Sequence, residues 1–260
     1  MIAFEHNPGL VAYLTCGDPD LATSRALALA LVDAGADVIE LGVPFSDPVA
    51  DGPVIQRASE RALKAGTSLR QVIAVGAEIR KARPQAGLIV FTYLNPVLKL
   101  GIDEFARQLV AAAIDGALIT DLTLEEADEY IAIMRAHDLA TVFLAAATST
   151  DVRLQRIADA SRGFVYAVSR TGITGEQRQI ATDAAQLVAR IRGFTSSPIA
   201  VGFGISNPQQ FRAVGAFADA AVIGSAIVSI IEKHGIASVE PVADFIRGLR
   251  AERSVAQAER

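Results

Sequence analysis

Eight short apolar runs recur along the chain at nearly even spacing, and this alternation constrains the fold more than any other feature. They are LVAYLT from Leu10, DVIELG from Asp37, GLIVFTYL from Gly87, GALITD from Gly116, TVFLAA from Thr141, FVYAVS from Phe164, IAVGFG from Ile199 and AAVIGS from Ala220. Their hydrophobicity is continuous rather than alternating, as expected of parallel strands covered on both faces. Between them lie segments with helical spacing, such as DLATSRALALALVDAG, GIDEFARQLVAAAI and LEEADEYIAIMRAHD. Pro19 after Asp18 and Gly35 after Asp33 stand where a helix starts and stops. Eight strand–helix units over 260 residues predict a (β/α)8 TIM barrel, one domain spanning 1–260. A doubly wound open sheet is the alternative, but it seldom carries eight even units. The polar tail RAERSVAQAER is expected to fray from about residue 250, and no linker or low-complexity block divides the chain.

Composition narrows the function classes. Half of the chain is hydrophobic (51%) and only 20% is charged, which is ample for a large core. With 29 acidic against 24 basic residues the net charge is −5, and no basic stripe stands out, so nucleic acid and acidic membrane surfaces are poor partners. A single cysteine, Cys16, excludes an internal disulfide and fits a reducing compartment. The start MIAFEHNPGL lacks the pattern of a signal peptide, so a cytoplasmic location is expected. The stretch from Ala213 to Ile231 approaches the length of a membrane span. Gly215, Asp219, Gly224 and Ser225 punctuate it, so it reads as a buried strand running into a helix.

The second strand ends in VIELGVPFSDPVADGP, where Glu40 alternates with Ile39 and Leu41. In a barrel this alternation aims Glu40 into the mouth while its neighbours face the helices, at the strand ends where barrel chemistry sits. A carboxylate there is expected to keep contact with water and substrate; the structural alternative is a salt bridge to a barrel arginine. Asp47 and Asp51 follow in a proline-stiffened loop. Each has a bland reading as a turn or helix cap, but Asp51 paired with Glu40 makes an acid/base couple.

Three glycine-bearing turns follow later strands: SRTGITGEQ with Gly172 and Gly175, VGFGIS with Gly202 and Gly204, and VIGSAIV with Gly224 and Ser225. Glycine lets backbone N–H groups approach an anion, a helix start adds donors, and the last two barrel loops are a frequent phosphate site. Absences narrow the reaction further. None of the four lysines, Lys64, Lys81, Lys99 and Lys233, lies on a predicted strand, which argues against a Schiff base. His6, His137 and His234 fall at the N-terminus or on helix ends, so no metal site is expected. No G-x-G-x-x-G follows the first strand. Carboxylate acid/base chemistry on a phosphorylated small molecule remains, without metal or organic cofactor in this chain.

The motifs AYLTCGDPD, ELGVPFSDPVADGP, TYLNPV, FVYAVSRTGITG, VGFGIS and IGSAIV, in this order and over nearly the whole chain, resemble the tryptophan synthase alpha subunit family. The resemblance implies retro-aldol cleavage of indole-3-glycerol phosphate to indole and glyceraldehyde 3-phosphate. It implies Glu40 as the catalytic acid/base and Asp51 as the group contacting the indole nitrogen. Gly175, Gly204, Gly224 and Ser225 match phosphate-binding positions, and Tyr13, Phe91, Tyr93, Tyr166 and Phe203 the indole pocket. It also implies a pyridoxal-phosphate-dependent beta chain as partner in an alpha2-beta2 heterotetramer. Pro44, Asp47 and Pro48 are read as the contact turn, and the loop from Thr171 to Gln179 is expected to close over substrate. An apolar barrel mouth is expected to raise the Glu40 pKa towards neutrality.

The chain departs from the family at Thr120 and Thr123, where proline is usual on either side of Asp121-Leu122, at Ala147, and in a shortened segment before the first strand. Rival readings are a stand-alone indole-3-glycerol phosphate lyase, a sugar-phosphate epimerase, which would want metal-binding histidines, and a catalytically weak barrel that activates a partner.

Overall fold

The computed structural model describes residues 2–168, 177–202 and 204–251, with the side chains of 177–181 excepted. Gly172, Gly175, Phe203, residues 171–176 and the tail beyond 251, for which the sequence sets expectations, therefore lie outside the described residues.

The apolar runs form β1 (Gly9–Thr15), β2 (Val38–Gly42), β3 (Gly87–Thr92), β4 (Gly116–Ile119), β5 (Ala140–Val142), β6 (Leu144–Ala146), β7 (Val165–Val168), β8 (Ile199–Gly202) and β9 (Ala220–Ile223). All pair in parallel in one sheet of order β5-β4-β3-β2-β1-β9-β8-β7-β6. The fifth run, expected as one strand, is two. Its first half pairs with β4 and its second with β7, and the Phe143 carbonyl between them accepts the Tyr166 N–H at 3.1 Å. One bent segment thus joins the two edges of the sheet into the TIM barrel.

Eleven α-helices surround the sheet among the described residues: α1 (Leu21–Asp33), α2 (Pro53–Lys64), α3 (Leu69–Ala82), α4 (Leu94–Leu100), α5 (Ile102–Ala111), α6 (Asp128–Ala136), α7 (Asp151–Ala160), α8 (Gln177–Arg192), α9 (Pro208–Val214), α10 (Ser225–His234) and α11 (Val239–Arg250). Local chemistry places their ends. Asp20 caps α1 by accepting the Thr23 N–H at 2.7 Å, and Gly35, at φ +106°, lets the chain leave it. Asn207 caps α9 with Pro208 at its first position. The stretch of membrane-span length resolves into the end of α9, β9 and the start of α10. No helix among the described residues is long and apolar enough to cross a membrane.

Strand periodicity divides the core in two. Leu10, Ala12, Leu14, Ile39 and Leu41 face the helices in the outer layer, with Leu27, Leu31 and Val72. Val11, Val38, Ile89, Leu118, Val142, Ala200 and Ala220 fill the interior. No helix precedes β1 among the described residues; Ile2 and Phe4 instead join the interior cluster, with Phe4 edge-on to Phe164 at 6.0 Å.

One device recurs at the N-terminal face. Asp37, Asp115 and Asp219 each precede a strand and accept the backbone N–H of the neighbouring strand: Leu10 at 2.7 Å, Leu88 at 2.8 Å and Ile199 at 2.7 Å. Each also takes a guanidinium, from Arg250, Arg80 and Arg192 respectively. The pairs hold strand register at the face opposite the one where barrel chemistry is built.

Candidate active site

Glu40 lies two residues before the end of β2, in register with Tyr13 on β1 and Ile89 on β3. It points inward while Ile39 and Leu41 join the outer core, as its alternation predicts. Its surroundings differ from the expectation of solvent contact, because Glu40 is 0% exposed and neither carboxylate oxygen has a hydrogen-bond partner. Among the described residues no arginine forms a salt bridge with it. Burial alone pushes its carboxyl up to about 8.

Asp51 reaches the site from a loop held at several points. Its own N–H donates to the Pro48 carbonyl at 3.0 Å, closing a turn. The Gln56 amide donates to the Asp51 carbonyl at 3.0 Å. Tyr93, 2% exposed and stacked on Phe45 with ring centroids 4.9 Å apart, accepts the Ala50 N–H at 3.0 Å and donates to Asp51 Oδ2 at 3.1 Å. Burial raises the Asp51 carboxyl to about 6, and the Tyr93 hydroxyl works the other way by stabilising the charge. Gly52 then caps α2 and Pro53 begins it.

Aromatic residues stand near both carboxylates. Tyr13 is edge-on to Phe91 at 5.1 Å and meets Thr15 Oγ1 at 3.2 Å. Tyr166 stands across the barrel on β7 and is partly exposed. Desolvation raises both phenols well above their ordinary range, and the charges of Asp51 and Glu40 add to it, so both carboxylates bear on the same two rings. Two strand-end glycines make room for these rings. A Cβ at Gly42 would lie 2.5 Å from the Tyr13 hydroxyl, and one at Gly202 2.6 Å from that of Tyr166. Sequence reading missed the role of Gly42; a glycine ending a barrel strand was visible, but its tyrosine partner lies on another strand.

The glycine turns sit at the ends of β8 and β9. Gly204 is exposed with φ +79°, Gly224 precedes α10, and Ser225 opens that helix with its side chain exposed. The helix α10 thus begins just past the end of β9, and the N–H groups of a first helical turn have no intrahelical acceptor. In the Pro44–Pro48 turn Pro44 is buried and Pro48 half-buried. The exposed part is Ser46, Asp47, Val49 and Ala50, with the Ser46 hydroxyl donating to Asp47 Oδ2.

The departures at the end of β4 form bonds of their own. The Thr120 N–H donates to the Thr92 carbonyl at 2.9 Å, a bond proline would lack, and its hydroxyl donates to the same oxygen at 3.2 Å. Thr123 donates to Glu126 Oε2 at 3.1 Å. The Ala147 carbonyl accepts from Arg190 at 3.2 Å. Among the described residues no group of three or more His, Cys, Asp or Glu is placed to hold a metal ion.

Comparison with known proteins places this geometry in a family. The model of the tryptophan synthase alpha chain family matches residues 2–254. The tryptophan synthase alpha chain of Solibacter usitatus is 52% identical over 230 residues, covering 88% of this chain and 86% of that one. That of Geobacter sulfurreducens is 45% identical over 249 residues, covering 95% and 94%. Among solved structures, the tryptophan synthase complex from Pyrococcus furiosus superposes with a TM-score of 0.87 at 36% identity, covering 94% of this chain and 98% of that one. The alpha subunit from Legionella pneumophila also gives 0.87, at 33% identity, covering 94% and 92%. With the motifs, the barrel and a family match over almost its full length in agreement, the chain belongs to the tryptophan synthase alpha chain family and is a lyase of tryptophan biosynthesis.

Proposed function

We propose that the chain cleaves indole-3-glycerol phosphate to indole and glyceraldehyde 3-phosphate by a retro-aldol reaction, with Glu40 as acid/base and Asp51 as electrostatic partner. One observation carries the reading: Glu40 points into the barrel fully buried with no hydrogen-bond partner, while Asp51 is held by the Tyr93 hydroxyl at 3.1 Å, environments that favour the acid form of the first, at about 8, and the ionised form of the second, at about 6. Breaking the bond at indole C3 first requires that carbon to be protonated. The Glu40 carboxylic acid gives the proton, and positive charge develops at the ring nitrogen. Ionised Asp51 accepts a hydrogen bond from that N–H and stabilises the charge. Glu40, now a carboxylate, takes the proton of the side-chain hydroxyl next to C3. Its O–H electrons become the aldehyde carbonyl, the C–C electrons return to the ring, and Glu40 regains its acid form.

Tyr13, Phe91, Tyr93 and Tyr166 are proposed to wall the indole. Gly204, Gly224 and Ser225, with Gly175 and Phe203 by resemblance, are proposed to complete the phosphate end and the pocket. The chain is proposed to act in the cytoplasm, as one domain, with a beta chain in an alpha2-beta2 assembly. The exposed Asp47 turn would contact that partner, which would carry the pyridoxal phosphate; this chain needs no cofactor of its own for the cleavage. The test is indole release by the purified protein, alone and with a beta chain, beside Glu40→Gln. General acid–base catalysis is worth about 10²–10⁴ in rate, so the variant is expected to lose at least that much while remaining folded. A folded Glu40→Gln that keeps more than about a tenth of the wild-type rate would refute the assignment.

A further inference from the structure

Because α2 begins two residues after Asp51, the placement of α2 sets where that carboxylate sits. Two arginines one turn apart on α2 reach across to Glu232 on α10. Arg57 meets it through Nε at 2.7 Å and Nη2 at 2.8 Å, and Arg61 through Nη1 at 2.8 Å. Arg61 turns its other edge to Asp18, with Nε and Nη2 each 2.8 Å from a carboxylate oxygen.

Asp18 is 2% exposed and lies just past β1 in a turn with no slack. The Gly17 N–H donates to Ser24 Oγ at 2.9 Å, and a Cβ at Gly17 would lie 1.9 Å from Thr67 Oγ1. One guanidinium therefore joins the β1–α1 turn, the helix that follows Asp51 and the helix that follows Gly224. Ala58 of α2, Val228 of α10 and Tyr13 pack together beside it as a separate buried cluster.

We infer that Arg61 is a positioning residue that fixes the span between the Asp51 carboxylate and the phosphate-binding end of α10, an inference that rests on the functional reading above. The proposed substrate carries its phosphate at one end and its ring N–H at the other. The two ends are engaged from the loop that leads into α2 and from the start of α10, so both contacts form together only when α2 and α10 keep a set separation. A misplacement of about 1 Å at a reacting group can cost roughly 10²-fold in rate. The planar fork of arginine meets the Asp18 carboxylate bidentately while a third nitrogen holds Glu232, which a lysine ammonium cannot reproduce. An exposed ion pair would do little of this, but Asp18 is buried and its turn is fixed.

The experiment compares wild type, Arg61→Lys, Glu232→Gln and Arg83→Gln. Arg83 makes an equally bidentate pair with Asp33, at 2.6 Å for both contacts, on elements that do not lead from either end of the site. Steady-state indole release, inhibition by inorganic phosphate and thermal midpoint are measured for each. Arg61→Lys is expected to lower kcat roughly 10-fold or more while inhibition by phosphate stays within about twofold, since each subsite survives but their separation relaxes. Glu232→Gln should move the same way by less, and Arg83→Gln should change the midpoint alone. A folded Arg61→Lys with wild-type kcat overturns the inference. Should Arg61→Lys not fold, Glu232→Gln decides, because it keeps the Asp18 pair, and wild-type kcat in that variant overturns it equally. A wild type that releases no indole would sink the functional reading and this inference together, whereas a competent wild type with an unaffected Arg61→Lys sinks this inference alone.

Discussion

The Tyr93 hydroxyl donates to Asp51 Oδ2 at 3.1 Å and accepts the Ala50 N–H at 3.0 Å, tying the loop after the second strand to the end of the third. One side chain thus both places the carboxylate and favours its charged form. Tyr93→Phe keeps the ring against Phe45 and removes only the hydroxyl. With that stabilisation gone, the Asp51 carboxyl should rise above its value of about 6. The expected outcome is a drop in kcat at neutral pH of about one order of magnitude, consistent with the worth of a hydrogen bond to a charged group. The acidic limb of the pH–rate profile should move upward. Measuring kcat from acid to alkaline pH for both proteins checks this; an unmoved limb counts against it.

The wild-type pH profile is itself informative. Activity should rise as Asp51 ionises near 6 and fall as Glu40 loses its proton near 8. A bell between these values is expected for kcat/KM, which reports the free enzyme. A rate that keeps climbing well above the upper value would show that the acid form of Glu40 is not required.

Glu40 also makes stability pH-dependent. Its folded value of about 8 lies above the ordinary 4.5, so between these values the native state holds a proton that the unfolded chain has released. The Glu40 contribution to stability is therefore greatest below the lower value and declines as pH rises towards the upper one. Glu40→Gln has no such proton. Its urea midpoint should gain on the wild type between about pH 5 and about pH 8, by a free energy on the order of 1–4 kcal/mol. Parallel pH dependence in the two proteins would place the stability loss elsewhere.

Gly42 is expected to tolerate no side chain. The Cβ of Gly42→Ala would lie 2.5 Å from the Tyr13 hydroxyl, so the ring must leave its place against Phe91. Overpacking of this kind costs about 1–3 kcal/mol, and a displaced pocket wall should raise KM more than it lowers kcat. Denaturation and steady-state kinetics on the one variant separate the two effects.

The opposite face should behave differently. Asp115→Ala removes the acceptor for the Leu88 N–H and for Arg80. It should lower stability by about 1–3 kcal/mol, the cost of leaving the buried Leu88 N–H without its acceptor, and leave kcat unchanged. A comparable loss of kcat would mean that register at the N-terminal face is transmitted to the site.

Much was legible in the linear pattern because its causes are local. Continuous apolar runs imposed a parallel sheet, alternation around Ile39, Glu40 and Leu41 set which side chain points inward, and Pro19 and Gly35 bracketed the first helix. Tertiary structure decided what those side chains meet. Glu40, expected to touch water, is fully buried, because the depth of a residue in a barrel depends on the neighbouring strands and on what closes over it. The fifth run bends at Phe143 because the ring must close there, a requirement no single strand carries in its own residues. Arg61 finds Asp18 at a separation of 43 residues and Glu232 at 171, partnerships that exist only once the barrel has brought α2 and α10 together. Short-range periodicity is written residue by residue, whereas a contact between distant positions depends on the register of every strand between them.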